Sequence, residues 1–232
     1  MKLFKKILSA TIALTLCLSF SVTAFASGNF ETSSKSAVED ILSAINEEYG
    51  TNIHIMASDA KQHDEASAAC FPALSASELV ALENELRYIA EYEIPEYERA
   101  TQKAMQEIAR VNASQASYSE VRSTETSSYD YEPIIALLAI DYAVAAAEAY
   151  ITSDRYGNTV WGSVVDKFCI TDRTQARWFY AANPTVSRID GGRTLYWVGS
   201  GDYYATIDGV QYYLSSGTQV AEMYVGNYNT WH

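Results

Sequence analysis

The residues of this chain that could do chemistry are few and poorly grouped. It has three histidines, His54, His63 and His232, and three cysteines, Cys17, Cys70 and Cys169. A thiol nucleophile would need Cys70 or Cys169 beside His54 or His63, with the imidazole taking the thiol proton. Nothing in their flanks resembles such a site. His63-Asp64-Glu65 is a run of metal-ligand types. Adjacent loop residues rarely converge on one ion, however, so a solvated polar run is the simpler reading, and neither a metal nor a cofactor is expected. His54 reads as facing solvent, and His232, the last residue, as too loosely held to act as a base. The zinc-protease, nucleophile-elbow, phosphate-loop and paired CxxC patterns are all missing from the sequence.

A pair of carboxylates acting on a glycosidic bond leaves no local signature, because its members can lie anywhere in the chain. In the second half the acids to consider are Asp166, Asp190, Asp202 and Asp208. Asp190 and Asp208 stand in Asp-Gly turns, which leaves Asp166 and Asp202. No catalytic residue is assigned on this basis. The leading expectation is a non-catalytic protein, and a secreted hydrolase using carboxylates or a Cys/His pair is the alternative.

Rings offer more than acids do. Thirteen of the 18 tyrosines and all four tryptophans follow Ser128. In Tyr203-Tyr204 and Tyr212-Tyr213 consecutive side chains point to opposite faces of a strand, so one ring of each pair leaves the core side. Such rings either pair across neighbouring strands or form a stacking platform for a sugar or a peptide. Trp197, Tyr203, Tyr204, Tyr212 and Tyr213 are therefore the candidate ligand-binding residues, and the expected partner is an extracellular glycan or protein.

The elements that must position these residues divide into two unlike parts. In the first, Ser36 and Glu39 form a capping box, and Val38, Ile41, Leu42, Ile45 and Tyr49 recur at helical spacing up to Gly50, giving a helix over 37–49. Asn52 to Met56 fits a short strand or an extended connector, and 57–73 reads as loop. Ser75 and Glu78 form a second capping box, with Leu74 and Leu79 as its hydrophobic staple. Leu79, Leu82, Leu86 and Ile89 then line one seam, while Tyr97, Ala100, Ala104, Ile108 and Val111 line another. Pro95 between them removes a backbone donor, so the expectation is an antiparallel helical hairpin broken near Ile94. The Ser/Thr/Ala-rich stretch Asn112 to Ser128 reads as a linker.

The second part alternates with period two. Pro133 to Ile151 fits a helix before Asp141 and a strand from about Val144. Strands are then expected over Trp161 to Thr171, Gln175 to Ala182, Thr194 to Val198, Asp202 to Ile207, Val210 to Leu214 and Gln219 to Val225. The turns between them fall at Asp154 to Asn158, Asn183-Pro184, Asp190 to Gly192, Gly199 to Gly201 and Asp208-Gly209, the last a two-residue hairpin. The fold class that follows is α+β: a helix and an antiparallel helical hairpin, then an antiparallel all-β sandwich-like or small barrel domain.

Charge separates the two parts as well. Residues 27–132 hold 20 acids and 7 bases, against 9 acids and 6 bases in 133–232. A formal charge of -13 argues against nucleic acid as a partner. At the start of the chain, Lys2, Lys5 and Lys6 precede the apolar run Ile7 to Leu18, and Ala24-Phe25-Ala26 supplies small residues for cleavage. That pattern predicts a signal peptide over 1–26, cut near Ala26, and a secreted protein that is extracellular or associated with the cell envelope. Ile134 to Ala149 is interrupted by Asp141 and Glu148, so no membrane span is expected in the mature chain. In an oxidising compartment Cys70 and Cys169 are candidates for a disulfide. The expected organisation is a signal peptide over 1–26, an acidic helical region over 27–115, a linker over 116–132 and a Tyr-rich β domain over 133–232.

Overall fold

The computed structural model describes residues 30–56, 71–116 and 132–226. The expected signal peptide, Cys70, the His63 cluster, His232 and most of the expected linker lie outside these residues. The first helix, α1 (Phe30–Tyr49), begins six residues ahead of Ser36, so the Ser36/Glu39 pair sits inside it and does not start it. It ends as expected at Gly50, whose φ of 68° suits glycine and whose N–H donates to the Asn46 carbonyl at 2.9 Å. The Asn46 side chain then fastens the exit, accepting from the Ile53 N–H and donating to the Ile53 carbonyl, both at 2.8 Å. This delivers the chain to the short strand β1 (His54–Ile55).

Helix α2 (Ala76–Tyr88) starts at the expected capping box: the Glu78 N–H donates to Ser75 Oγ and the Ser75 N–H to Glu78 Oε2. The expected hairpin at Pro95 does not form. The helix instead continues through one π turn, Ile89–Glu93, into α3 (Ile94–Ala116). A π turn reaches back five residues, as the Ile94 N–H does to the Ile89 carbonyl. Pro95 follows directly after this wider turn, as the second residue of α3, so the irregular turn stands where the helix meets a residue with no N–H to give. Burial favours this course, because Ile89, Ala90, Ile94 and Tyr97 all face the core only if the helix carries on. α3 also extends through Asn112 to Ala116, which corrects the linker expected from Asn112 onward.

Among the described residues the strands form two antiparallel sheets and no closed barrel. The larger joins β1, β5 (Arg177–Tyr180), β6 (Thr185–Ile189), β7 (Thr194–Ile207) and β8 (Val210–Tyr224), in the order β1-β8-β7-β5, with β6 sharing the β5 side of β7. The smaller is β2 (Ile134–Ile140), β3 (Ala143–Ser153) and β4 (Thr159–Ile170), in that order. Residues 134–140 are therefore strand, correcting the helix expected before Asp141. Their seven apolar residues carry no readable period, and the hairpin register Ile140↔Ala143 decides the matter.

Asp208-Gly209 turns with φ of 50° and 78°, as its sequence requires. Gly199 to Gly201 does not turn: β7 runs straight through it. These glycines answer to crowding. A Cβ at Gly199 would lie 2.1 Å from the Trp197 ring, and one at Gly201 only 2.0 Å from the Tyr180 carbonyl oxygen.

Trp161 reaches from the smaller sheet to the larger, donating its indole N–H to the Met223 carbonyl at 2.9 Å. Trp197 reaches the opposite way, to the Phe168 carbonyl at 3.3 Å. Ala136, Ala145, Ala147 and Ala149 supply the small facing positions in β2 and β3. The same hydrophobic cluster takes in Val38 and Ile45 of α1, Leu86 of α2 and Tyr97 of α3, so helices and sheets share one core. Among the described residues no helix is long and apolar enough to cross a membrane.

Candidate functional site

The candidate aromatic residues are mostly interior. Trp197 is fully buried, and Tyr203, Tyr204 and Tyr212 keep 8% exposure or less. Tyr203 stacks on Tyr97 of α3 with ring centroids 4.2 Å apart, because a helix covers the side to which this ring turns. On the opposite face His54, Tyr213, Tyr204 and Trp178 make a ladder across β1, β8, β7 and β5. His54 stacks on Tyr213 at 4.6 Å, Tyr213 meets Tyr204 edge-on at 6.2 Å, and Tyr204 stacks on Trp178 at 4.0 Å. Arg173 closes its end, 5.4 Å above the Trp178 ring. Each ring is thus spent on its cross-strand neighbour. Burial pushes the Tyr204 hydroxyl up to about 12, helped by the Asp202 carboxylate. Tyr213 alone of the five stays half-buried, and one ring already stacked is not a platform.

The acids and the thiol are equally committed. Asp202 accepts from Ser216 Oγ at 2.7 Å and from the Tyr204 hydroxyl at 3.3 Å, beside a hydroxyl-lined depression of about 550 Å³. Asp166 is exposed on β4 and accepts from the Lys167 N–H. Asp190 and Asp208 hold their turns with positive φ. Among the described residues Cys169 is bonded to no other cysteine; burial pushes its thiol up, and its Sγ lies 3.9 Å from the Phe179 carbonyl. No group of three or more His, Cys, Asp or Glu could hold a metal ion among the described residues.

The feature that stands out lies elsewhere, where α3, the end of β2 and the second half of β8 enclose a groove of about 940 Å³. That volume is within the range of ligand sites. One wall is the polar face of α3, with Glu96, Arg99, Lys103 and Glu107. The other walls are Leu138 to Asp141 of the β2 end and Thr218 to Glu222 of β8. Leu138 is 37% exposed here, and Ala139 is exposed beside it.

Three bonds define the groove's shape. Thr218 N–H donates to Thr101 Oγ1 at 3.1 Å and ties α3 to the edge of β8. Gln219 Nε2 donates to the Asp141 carbonyl at 2.7 Å and ties β8 to the β2–β3 turn. Phe179 N–H donates to the Tyr142 carbonyl at 3.0 Å and ties that turn to β5. Tyr142 itself is held at φ 65°, unfavourable for a bulky residue, while its ring meets Tyr97 edge-on at 5.6 Å.

The groove lining holds four acids, Glu96, Glu107, Asp141 and Glu222, and two bases, Arg99 and Lys103. Arg99 pairs with Glu96 at 3.5 Å, and Arg110 pairs with Glu107 and reaches Glu222 at 3.6 Å. The hydrogen bond from Arg110 holds the Glu107 carboxyl below its usual range. Lys103 makes no ion pair among the described residues.

The sequence reading missed this groove because its walls come from three distant segments. The one local signal was the uncharged run Ile134 to Ile140. Comparisons of the chain with known protein families, with curated proteins and with solved structures find no match.

Proposed function

We propose that this is a secreted, non-catalytic extracellular binding protein whose ligand lies in the groove between α3, β2 and β8. One observation carries the reading: an open groove about 940 Å³ in volume sets exposed apolar Leu138 and Ala139 against charged side chains of α3. Apolar surface beside a few polar groups is the usual makeup of a binding site. Four tethered elements keep this one formed without a ligand. The candidate acids Asp202, Asp190 and Asp208 serve turns and hydroxyl networks, which is why binding is preferred to hydrolysis.

The test is a binding screen on arrays of glycans and of unstructured peptides, run with the wild type and with Ala139→Trp, a bulky ring placed at an exposed groove position. The expected result is binding to one ligand class that falls by about tenfold in A139W, with thermal unfolding unchanged. Binding that ignores A139W, absence of binding on both arrays, or cleavage products by mass spectrometry would each overturn the reading.

A further inference from the structure

We infer that the groove's ligand is an extended, basic polypeptide segment that adds to the outer edge of β2 through main-chain hydrogen bonds. This rests on the groove being the binding site. The register fixes which groups are on offer. Ile140 and Ala143 flank a two-residue turn and so form the first hydrogen-bonded pair of the β2–β3 ladder. Bonded pairs then alternate, and Ile134, Ala136 and Leu138 spend their amides and carbonyls on β3. The amides and carbonyls of Ile135, Leu137 and Ala139 point out of the sheet. The sheet ends at β2 among the described residues, so this row of donors and acceptors is an open edge.

Open edges are usually blunted by lysine, proline or a bulge. β2 reads Ile-Ile-Ala-Leu-Leu-Ala-Ile, with no charge, no proline and no register shift against β3, whereas the β3–β4 pairing is shifted twice. An edge left regular and apolar over seven residues, about 23 Å long, is a template for a strand.

The chemistry of the occupant follows from its surroundings. A second copy would bring a like formal charge of -13 and a whole sheet to a space that α3 and β8 already bound on the open side. A single strand needs less room, and basic flanks would be drawn by the acidic chain and by the four acids of the lining, which outnumber Arg99 and Lys103 two to one.

The probe is a fluorescein-labelled heptapeptide, Lys-Val-Thr-Val-Thr-Val-Lys with blocked ends. It is compared by anisotropy with its alternately N-methylated form and with a Glu-flanked form, against the full chain. Two variants accompany it. Leu137→Pro removes an outward N–H and spares the ladder to β3, and Leu138→Lys places a charge on the edge should L137P fold poorly. The basic peptide should bind, with affinity lowered about tenfold by N-methylation and by either variant. The Glu-flanked form should bind more weakly at low salt, the gap closing as salt rises.

Equal binding of the N-methylated peptide, or binding indifferent to L137P and L138K, would overturn strand addition. Glycan binding lost in A139W without any peptide binding would overturn the ligand class and leave the groove standing, whereas failure of both arrays removes the groove as well. A dimer in sedimentation that L138K dissociates would make a second copy the occupant and overturn the inference.

Discussion

Replacing Trp197 with alanine is expected to lower stability by about 4 kcal/mol, read as an earlier urea midpoint at unchanged slope. The ring is fully buried between the sheets, lies over Gly199, and spends its N–H on the Phe168 carbonyl. Its removal leaves a hole and an unpartnered carbonyl, and β7 cannot move inward to fill the space because β8 and β6 hold both its edges at this point. Tyr213→Ala is the control. That ring is half-buried and stacks on His54 at the sheet margin, so its loss should cost far less. Equal costs for the two would mean that the sheets are not joined through Trp197.

Glu93→Gln should cost about 3 kcal/mol, because it leaves a half-buried guanidinium without its main counter-charge. Arg177 and Glu93 are 14% and 19% exposed, and Arg177 Nε donates to Glu93 Oε2 at 2.6 Å. Burial is the largest single influence and works against the Arg177 charge, but the hydrogen bond to Glu93, the charge of that carboxylate and the hydrogen bond to Glu85 together outweigh it and raise the guanidinium above its ordinary value. The Tyr97 hydroxyl donates to the same carboxylate oxygen at 2.8 Å, and burial together with this bond pushes that hydroxyl up. One acid thus joins the π turn, α3 and β5. Glu85, 45% exposed, is the weaker partner of Arg177, so Glu85→Gln should change little. In a double-mutant cycle, Arg177→Met should recover part of the loss caused by Glu93→Gln. Additive losses would show the pair to be uncoupled.

What could be read from the residues was whatever is decided within a few positions. Ser75 with Glu78, Gly50 and Asp208-Gly209 each carry their own geometry, and each stands where expected. Pro95 misled, because its local preference for a break is outweighed by Ile89, Ala90 and Ile94 packing on sheets that come much later in the chain. Gly199 and Gly201 misled for a related reason: a glycine that permits a turn looks the same as one that makes room for Trp197 and Tyr180. Ile134 to Ile140 is apolar at every position and so carries no period to separate helix from strand.

The tyrosine pairs do point to both faces of the larger sheet, as alternation demands. What alternation could not tell is that Tyr97 covers one face and that a ring ladder fills the other. The groove was illegible for the same reason, since α3, β2 and β8 meet only in three dimensions.

Strand addition needs a bare outer edge on β2, and residue-resolved amide hydrogen exchange of the free protein reads that edge directly. Ala136, Leu138 and Ile140 should exchange slowly, because they bond to β3, while Ile135, Leu137 and Ala139 exchange fast, giving a period of two along the strand. Slow exchange at all six would show the edge already paired, and fast exchange at all six would show that β2 is not held in the sheet. Either result would rule out a free β2 edge as the binding template.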